Sequence, residues 1–206
     1  DVIARIKFAN ATIETEVAGW CEHLASEYVQ YDIDEAARRA ATMISRFAAT
    51  PRGHQLAAAK SAHREIEFLL PWPTHPLPVG EGQGEGVPKH AGPGEQPCHY
   101  IRGFIDCLYQ DAAGNWRIVD FKTNEVSKSD AEHLDRLADR YRMQLYVYAL
   151  AVEQALGESP SELVLELLQP GIEIVIPWNE DARRQAVDMI GRAIAGEIEA
   201  EQAGVL

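Results

Sequence analysis

Basic residues are scarce in this sequence: 19 Lys and Arg stand against 32 Asp and Glu, for a formal net charge of −13. No basic stripe or run is present. Phosphate contacts supply much of the affinity of nucleic-acid binders, so either nucleic acid is not the partner or a metal ion, a neighbouring domain, or both bring it in. Cysteine is also sparse. Cys21, Cys98 and Cys107 make an odd set without CxxC spacing, which excludes a disulfide framework, a structural zinc site and a four-cysteine iron–sulfur cluster, and points to a reducing, cytoplasmic setting. No apolar run approaches the roughly 20 residues needed to span a bilayer, and no signal-peptide pattern opens the chain, so no membrane is expected. Internal repeats are absent. Asp1 reads as an interior start, as if the chain were excised from a longer one.

What is present fits one domain of ordinary size across residues 1–206, with a helical segment at 1–62 and an α/β core at 63–206. Ile13, Val17, Trp20, Cys21, Leu24 and Tyr28 recur at helical spacing. Asp34 is placed to cap a second helix from Ala36 to Phe47, which Thr50-Pro51-Arg52-Gly53 stops, and a short helix is expected from about Gln55 to Ala62. The alternation of Arg64 to Leu70 reads as a strand. Residues 79–97, rich in Gly, Pro and Glu, read as a flexible surface loop between strands. Two further strands, His99–Tyr109 and Trp116–Lys122, flank the turn Asp111–Asn115, where Gly114 and Asn115 suit positive φ. Ser129 or Asp130 opens a helical stretch, and a long helix runs from about Leu134 to Leu156, stopped by Gly157. A hairpin about Pro170-Gly171 follows, and Asp181 to Gln202 forms a terminal helix. Helices, a meander of strands, one long helix, a hairpin and a last helix make a mixed α/β layer fold.

The informative stretch lies around that turn. If the hairpin centres on Ala113, positions 106 and 120 are opposed, and opposed Cβ atoms lie about 5 Å apart. Asp106 and Asp120 would then repel each other, a conflict that a hard divalent cation resolves. Alternation puts Asp120 and Lys122 on one face. Phe104, Ile105, Ile118, Val119 and Phe121 make the hairpin otherwise apolar, a setting in which ionised groups are rarely placed without partners. The competing reading is an Asp–Lys ion pair on an exposed edge, with the second Asp facing water. Cys107 should point away from Asp106, into the core.

Gly103-Phe104-Ile105-Asp106 followed by Val119-Asp120-Phe121-Lys122-Thr123 resembles the GxxD and DYK(S/T) motifs of RecB-family nucleases, a branch of the PD-(D/E)xK, restriction-endonuclease-like superfamily. Arg64-Glu65-Ile66-Glu67-Phe68 resembles the acidic strand that precedes that hairpin, and Tyr141 to Leu150 resembles the YxxQxxxYxxAL helix that follows it. All four segments stand in family order over roughly residues 60–180. The resemblance is to the nuclease domains at the C-termini of RecB and AddA-type helicase–nucleases. It implies a mixed sheet flanked by helices, Mg²⁺ as cofactor with Mn²⁺ as a substitute, and DNA as substrate. The partners it implies are a helicase domain on the same parent chain and a second subunit. By the same resemblance Asp106 and Asp120 would hold the metal with the backbone carbonyl of Phe121. Glu65 would join as a further ligand or support, matching the acidic position better than Glu67, although their i, i+2 spacing assigns both to one face. Lys122 would act on the attacking water or the developing charge, Gln144 would contact the site or DNA, Tyr148 would pack, and Tyr141 would be either core or DNA contact. The family's upstream metal-binding His, in a G-(T/S)-x-x-H setting, has no counterpart; His23 lacks that context and reads as a surface residue. A catalytically inactive module for DNA guiding or subunit contact is therefore the alternative to an active nuclease.

Overall fold

The computed structural model describes residues 33–72 and 99–202. The expected helix over Ile13–Tyr28, His23 and the loop at 79–97 lie outside the described residues. Helices α1 (Ile33–Ala48) and α2 (Pro51–Ala57) lead into strand β1 (Ser61–Trp72); β2 (His99–Gln110) and β3 (Trp116–Lys122) follow. Helix α3 (Ala131–Leu156), strands β4 (Glu162–Leu167) and β5 (Ile172–Ile176), and helix α4 (Glu180–Gln202) complete the order. The strands form one five-stranded sheet in the order β1-β2-β3-β4-β5. Every neighbouring pair is antiparallel except β3 and β4, which run parallel and are joined through α3. A parallel pair needs such a crossover, and this one lays α3 across the sheet directly after β3.

Helices cover both faces. On one, Ile105, Leu108, Ile118, Leu163, Leu165 and Leu167 pack against Leu145, Ala149 and Val152 of α3 and Ala186 and Ile190 of α4. On the other, Cys107, Tyr109, Val119 and Val164 pack against Ile44 and Phe47 of α1 and Leu56 of α2. Burial in the apolar interior lifts the Cys107 thiol to about 12, so it is a core residue rather than a reactive one. Among the described residues no helix is long and apolar enough to cross a membrane.

Several boundaries differ from expectation. Helix α1 begins at Ile33, so Asp34 lies in its first turn rather than at its cap. Thr50-Pro51 ends α1 but also opens α2: the Thr50 hydroxyl accepts from Gly53 N at 3.0 Å and Pro51 takes the first helical position, where a missing N–H costs nothing. The second short helix therefore comes earlier than Gln55, and β1 starts at Ser61. In the β2–β3 turn only Gly114 adopts positive φ, at 98°; Asn115 is instead held by its N–H to Asp111 Oδ1 at 2.9 Å. Helix α3, by contrast, opens as expected at Asp130, whose side chain accepts from His133 N at 2.9 Å, and stops as expected at Gly157 with φ 68°.

Candidate active site

The β2–β3 register runs Gln110↔Trp116, Tyr109↔Arg117, Leu108↔Ile118 and Cys107↔Val119. One further step would oppose positions 106 and 120, as the turn geometry requires. There the ladder stops, and the N–H of Phe121 is donated at 2.9 Å to Asp106 Oδ2 instead of to a β2 carbonyl. Lys122 O accepts from Leu168 N of the strand on its other side, at 2.8 Å. Backbone groups alternate along a strand, so the Phe121 carbonyl points with its N–H toward β2, into the gap where the two strands part.

A second irregularity aims Asp106 into that gap. Ile105 packs in the α3-side core while Cys107, two residues on, packs in the α1-side core. On a regular strand they would share a face. The β1–β2 register is the same on either side, Ile66 with Ile105 and Arg64 with Cys107, but Glu65 and Asp106 between them form no ladder pair. Glu65 takes φ 51° there, the single non-glycine residue at positive φ among those described, a conformation that costs of order 1 kcal/mol or more and gathers at functional sites. Glu67 pairs with Arg102 at 2.5 Å on the exposed surface, whereas Glu65 adds its charge, with Asp120 and Asp106, to the field at the Tyr148 hydroxyl.

Asp120 is fully buried, which removes the exposed-edge alternative. Its Oδ1 accepts from Gln144 Nε2 at 3.2 Å. Its Oδ2 stands 2.7 Å from Lys122 Nζ, among the described residues the one cationic group beside it. Burial lifts the Asp120 carboxyl well above the ordinary carboxylate range. The Asp106 charge lifts it further, and Lys122 pulls it back.

Helix α3 supplies the wall. Gln144 Nε2 also contacts the Tyr148 hydroxyl, as the i, i+4 spacing allows. Tyr148 is buried, its ring edge-on to Phe68 at 5.7 Å, and burial pushes its hydroxyl up to about 12. Phe68 in turn lies over Gly103, where an added Cβ would meet the ring at 2.8 Å. Tyr141 is half-buried, with the Lys122 ammonium 4.8 Å from its ring centroid and its hydroxyl donated to Asn124 Oδ1 at 3.3 Å. Sequence reasoning did not single out Asn124 as part of this assembly; the one signal for it was its i, i+2 relation to Lys122.

A divalent cation fits these donors. Two carboxylates and one backbone carbonyl face the gap, with the Lys122 ammonium beside them. Among the described residues no three His, Cys, Asp or Glu side chains converge on one point.

The sequence profile described as the PD-(D/E)XK nuclease superfamily matches residues 5–203. The chain is 36% identical over 141 residues, 68% of its length, to an ATP-dependent helicase/nuclease subunit from Pelotomaculum thermopropionicum, of which it covers 10%. It is 28% identical over 135 residues, 64% of its length, to the subunit of the same name from Acetivibrio thermocellus, again covering 10% of that protein. The chain thus spans about a tenth of the curated relatives it matches. Among solved structures, a candidate exonuclease from Eubacterium rectale aligns with a TM-score of 0.51 at 12% identity, covering 96% of this chain and 67% of that one. At that identity the likeness is one of fold.

Proposed function

The chain belongs to the PD-(D/E)XK nuclease superfamily, and from that premise we propose that it is a divalent-metal-dependent deoxyribonuclease domain with Asp106, Asp120 and Lys122 at its centre. The observation that carries this reading is the meeting of the buried Asp120 carboxylate, the Asp106 carboxylate and the Lys122 ammonium in one gap. One ammonium leaves two neighbouring carboxylates with excess negative charge, which is costly to bury without a further cation.

Asp106, Asp120 and the Phe121 carbonyl would hold Mg²⁺, with Mn²⁺ able to substitute and Glu65 supporting from β1. When bound, the cation supplies charge neutralisation at a phosphate and acidifies water. Gln144 fixes Asp120 through Oδ1 and leaves Oδ2 for the metal; Tyr148 fixes Gln144. The Lys122 ammonium is placed to orient a water or to stabilise charge growing on phosphate oxygens.

The parent protein, on this reading, is an ATP-dependent helicase–nuclease of the cytoplasm that processes broken DNA ends for recombinational repair, with a second subunit. A domain tethered to a helicase receives DNA at high effective concentration. That reconciles the function with a net charge of −13. The test is cutting of linear DNA with Mg²⁺ or Mn²⁺, compared with Asp120→Ala and Lys122→Ala. Loss in both variants supports the proposal; cutting that persists in both points to a contaminant and overturns it. The convergence of fewer than three acidic or imidazole ligands among the described residues favours the second reading, an inactive DNA-guiding or subunit-contact module. Calorimetric absence of Mg²⁺ binding together with absence of cutting would select it.

A further inference from the structure

We propose that Tyr141 is a positioning residue whose ring holds the Lys122 ammonium in place when the Asp120 carboxylate is given over to a metal ion. The proposal rests on the nuclease reading above and concerns how its lysine is kept available.

The Lys122 ammonium has two attractive neighbours. One is Asp120 Oδ2 at 2.7 Å; the other is the face of Tyr141, 4.8 Å away at its centroid. A metal ion bound to Asp120 would compete for the first and repel the ammonium. A lysine side chain has four rotatable bonds and a strongly hydrated head, so an amine with one hold would swing into solvent once that hold was taken. The ring face supplies a second hold that a cation on the carboxylate does not compete for, and cation–ring attraction strengthens as the site loses water.

The ring is itself fixed in two ways. Tyr141 lies one turn before Gln144 on the helix stripe that faces the site, packed partly into the α3-side core. Its hydroxyl is donated to Asn124 Oδ1 at 3.3 Å, two residues beyond Lys122. The backbone that carries the lysine therefore also anchors the ring that receives it.

The test uses the 206-residue chain with lysine labelled at the ε-carbon, its Lys122 resonance assigned with Lys122→Arg. Protons over a ring face are shifted upfield. The expected result is an upfield Lys122 methylene signal in the parent and in Tyr141→Phe, persisting at saturating Mg²⁺, and its loss in Tyr141→Leu. A signal that returns to the ordinary lysine position when Mg²⁺ is added, or that Tyr141→Leu leaves unchanged, overturns the proposal. This readout needs no cutting, so it separates failure of the ring's role from failure of the nuclease reading. In the cutting assay, Tyr141→Leu is expected to lower kcat about tenfold with KM for DNA unchanged, and Tyr141→Phe to stay within about twofold. Should the leucine variant not fold, phenylalanines carrying increasing fluorine at position 141 keep the ring's shape while draining its negative face. A stepwise fall in kcat at constant Tm supports the proposal. A rise in KM alone, or no trend with fluorination, overturns it.

Discussion

At the turn end of the β2–β3 hairpin, Arg52 reaches Glu173 through two nitrogens at 2.8 Å, Glu162 at 2.7 Å and the Tyr109 hydroxyl at 2.9 Å. Arg117 bridges Glu162 and Asp111 beside it. At the other end of the same two strands, Asp120 is as deeply buried as any of these, yet its one cationic partner among the described residues is Lys122 and a second carboxylate stands next to it. The turn end is closed: cation and anion alternate, and α2 is pinned to the sheet. The site end is open: two carboxylates share one ammonium. The contrast assigns the first cluster to the fold and the second to chemistry, since excess negative charge in a buried gap is a cost that a bound cation offsets.

Four variants would sharpen or break this contrast. The largest effect is expected for Asp120→Asn, which keeps the Gln144 bond and removes the buried charge. Metal-dependent cutting should fall by roughly a thousandfold, while the metal-free Tm rises by about 2–4 °C. A fall in Tm would mean that Asp120 serves the fold after all. Arg52→Met should do the reverse. It takes the guanidinium from Glu173 and leaves Glu162 with Arg117 alone, and should cost about 1–3 kcal/mol of stability, read by denaturant melts, with kcat unchanged below the transition.

Glu166→Gln addresses pH. Glu166 is buried opposite Glu173 on the α1-side face; burial first, then the Glu173 charge, pushes its carboxyl up to about 7, while Arg52 and Arg46 pull back. A carboxyl raised in the folded state binds its proton more tightly there than when unfolded. Its contribution is therefore fully present below pH 4.5 and is lost as pH rises through 7. The glutamine variant should match the parent near pH 4.5 and exceed it at pH 8 by at most about 3 kcal/mol, seen in paired melts. Asp111→Asn should show the smallest effect, with the opposite sign. The Asn115 N–H and Arg117 hold that carboxyl below the usual range, so the loss is expected at neutral pH and should fade as pH falls toward the aspartate's own titration. A loss that grew in acid would contradict the closed-network reading.

The two ends also differ in how far they could be read from sequence. The hairpin register followed from the turn alone, because side-chain period and loop length leave little freedom; the opposition of positions 106 and 120 and the shared face of Asp120 and Lys122 needed nothing else. The long helix after the hairpin, with Gln144 and Tyr148 on one stripe, was legible from its spacing. What alternation could not supply was the break in the ladder at Glu65 and Asp106. A glutamate at positive φ has no sequence signature. The Arg52 cluster was equally hidden, since its partners come from α2, β2, β4 and β5 and meet only through tertiary packing. Thr50-Pro51 misled for a simpler reason: the same residues that end one helix are good at starting another.

Gly103 has a consequence beyond its own strand. Phe68 rests where a methyl group at 103 would be, Tyr148 rests on Phe68, Gln144 on Tyr148, and Asp120 on Gln144. The glycine of the GxxD signature thus sets a thickness rather than a conformation. Widening β2 there by a single carbon would propagate through two rings and an amide, and would move the helix-side clamp on the buried acid without touching any charged group.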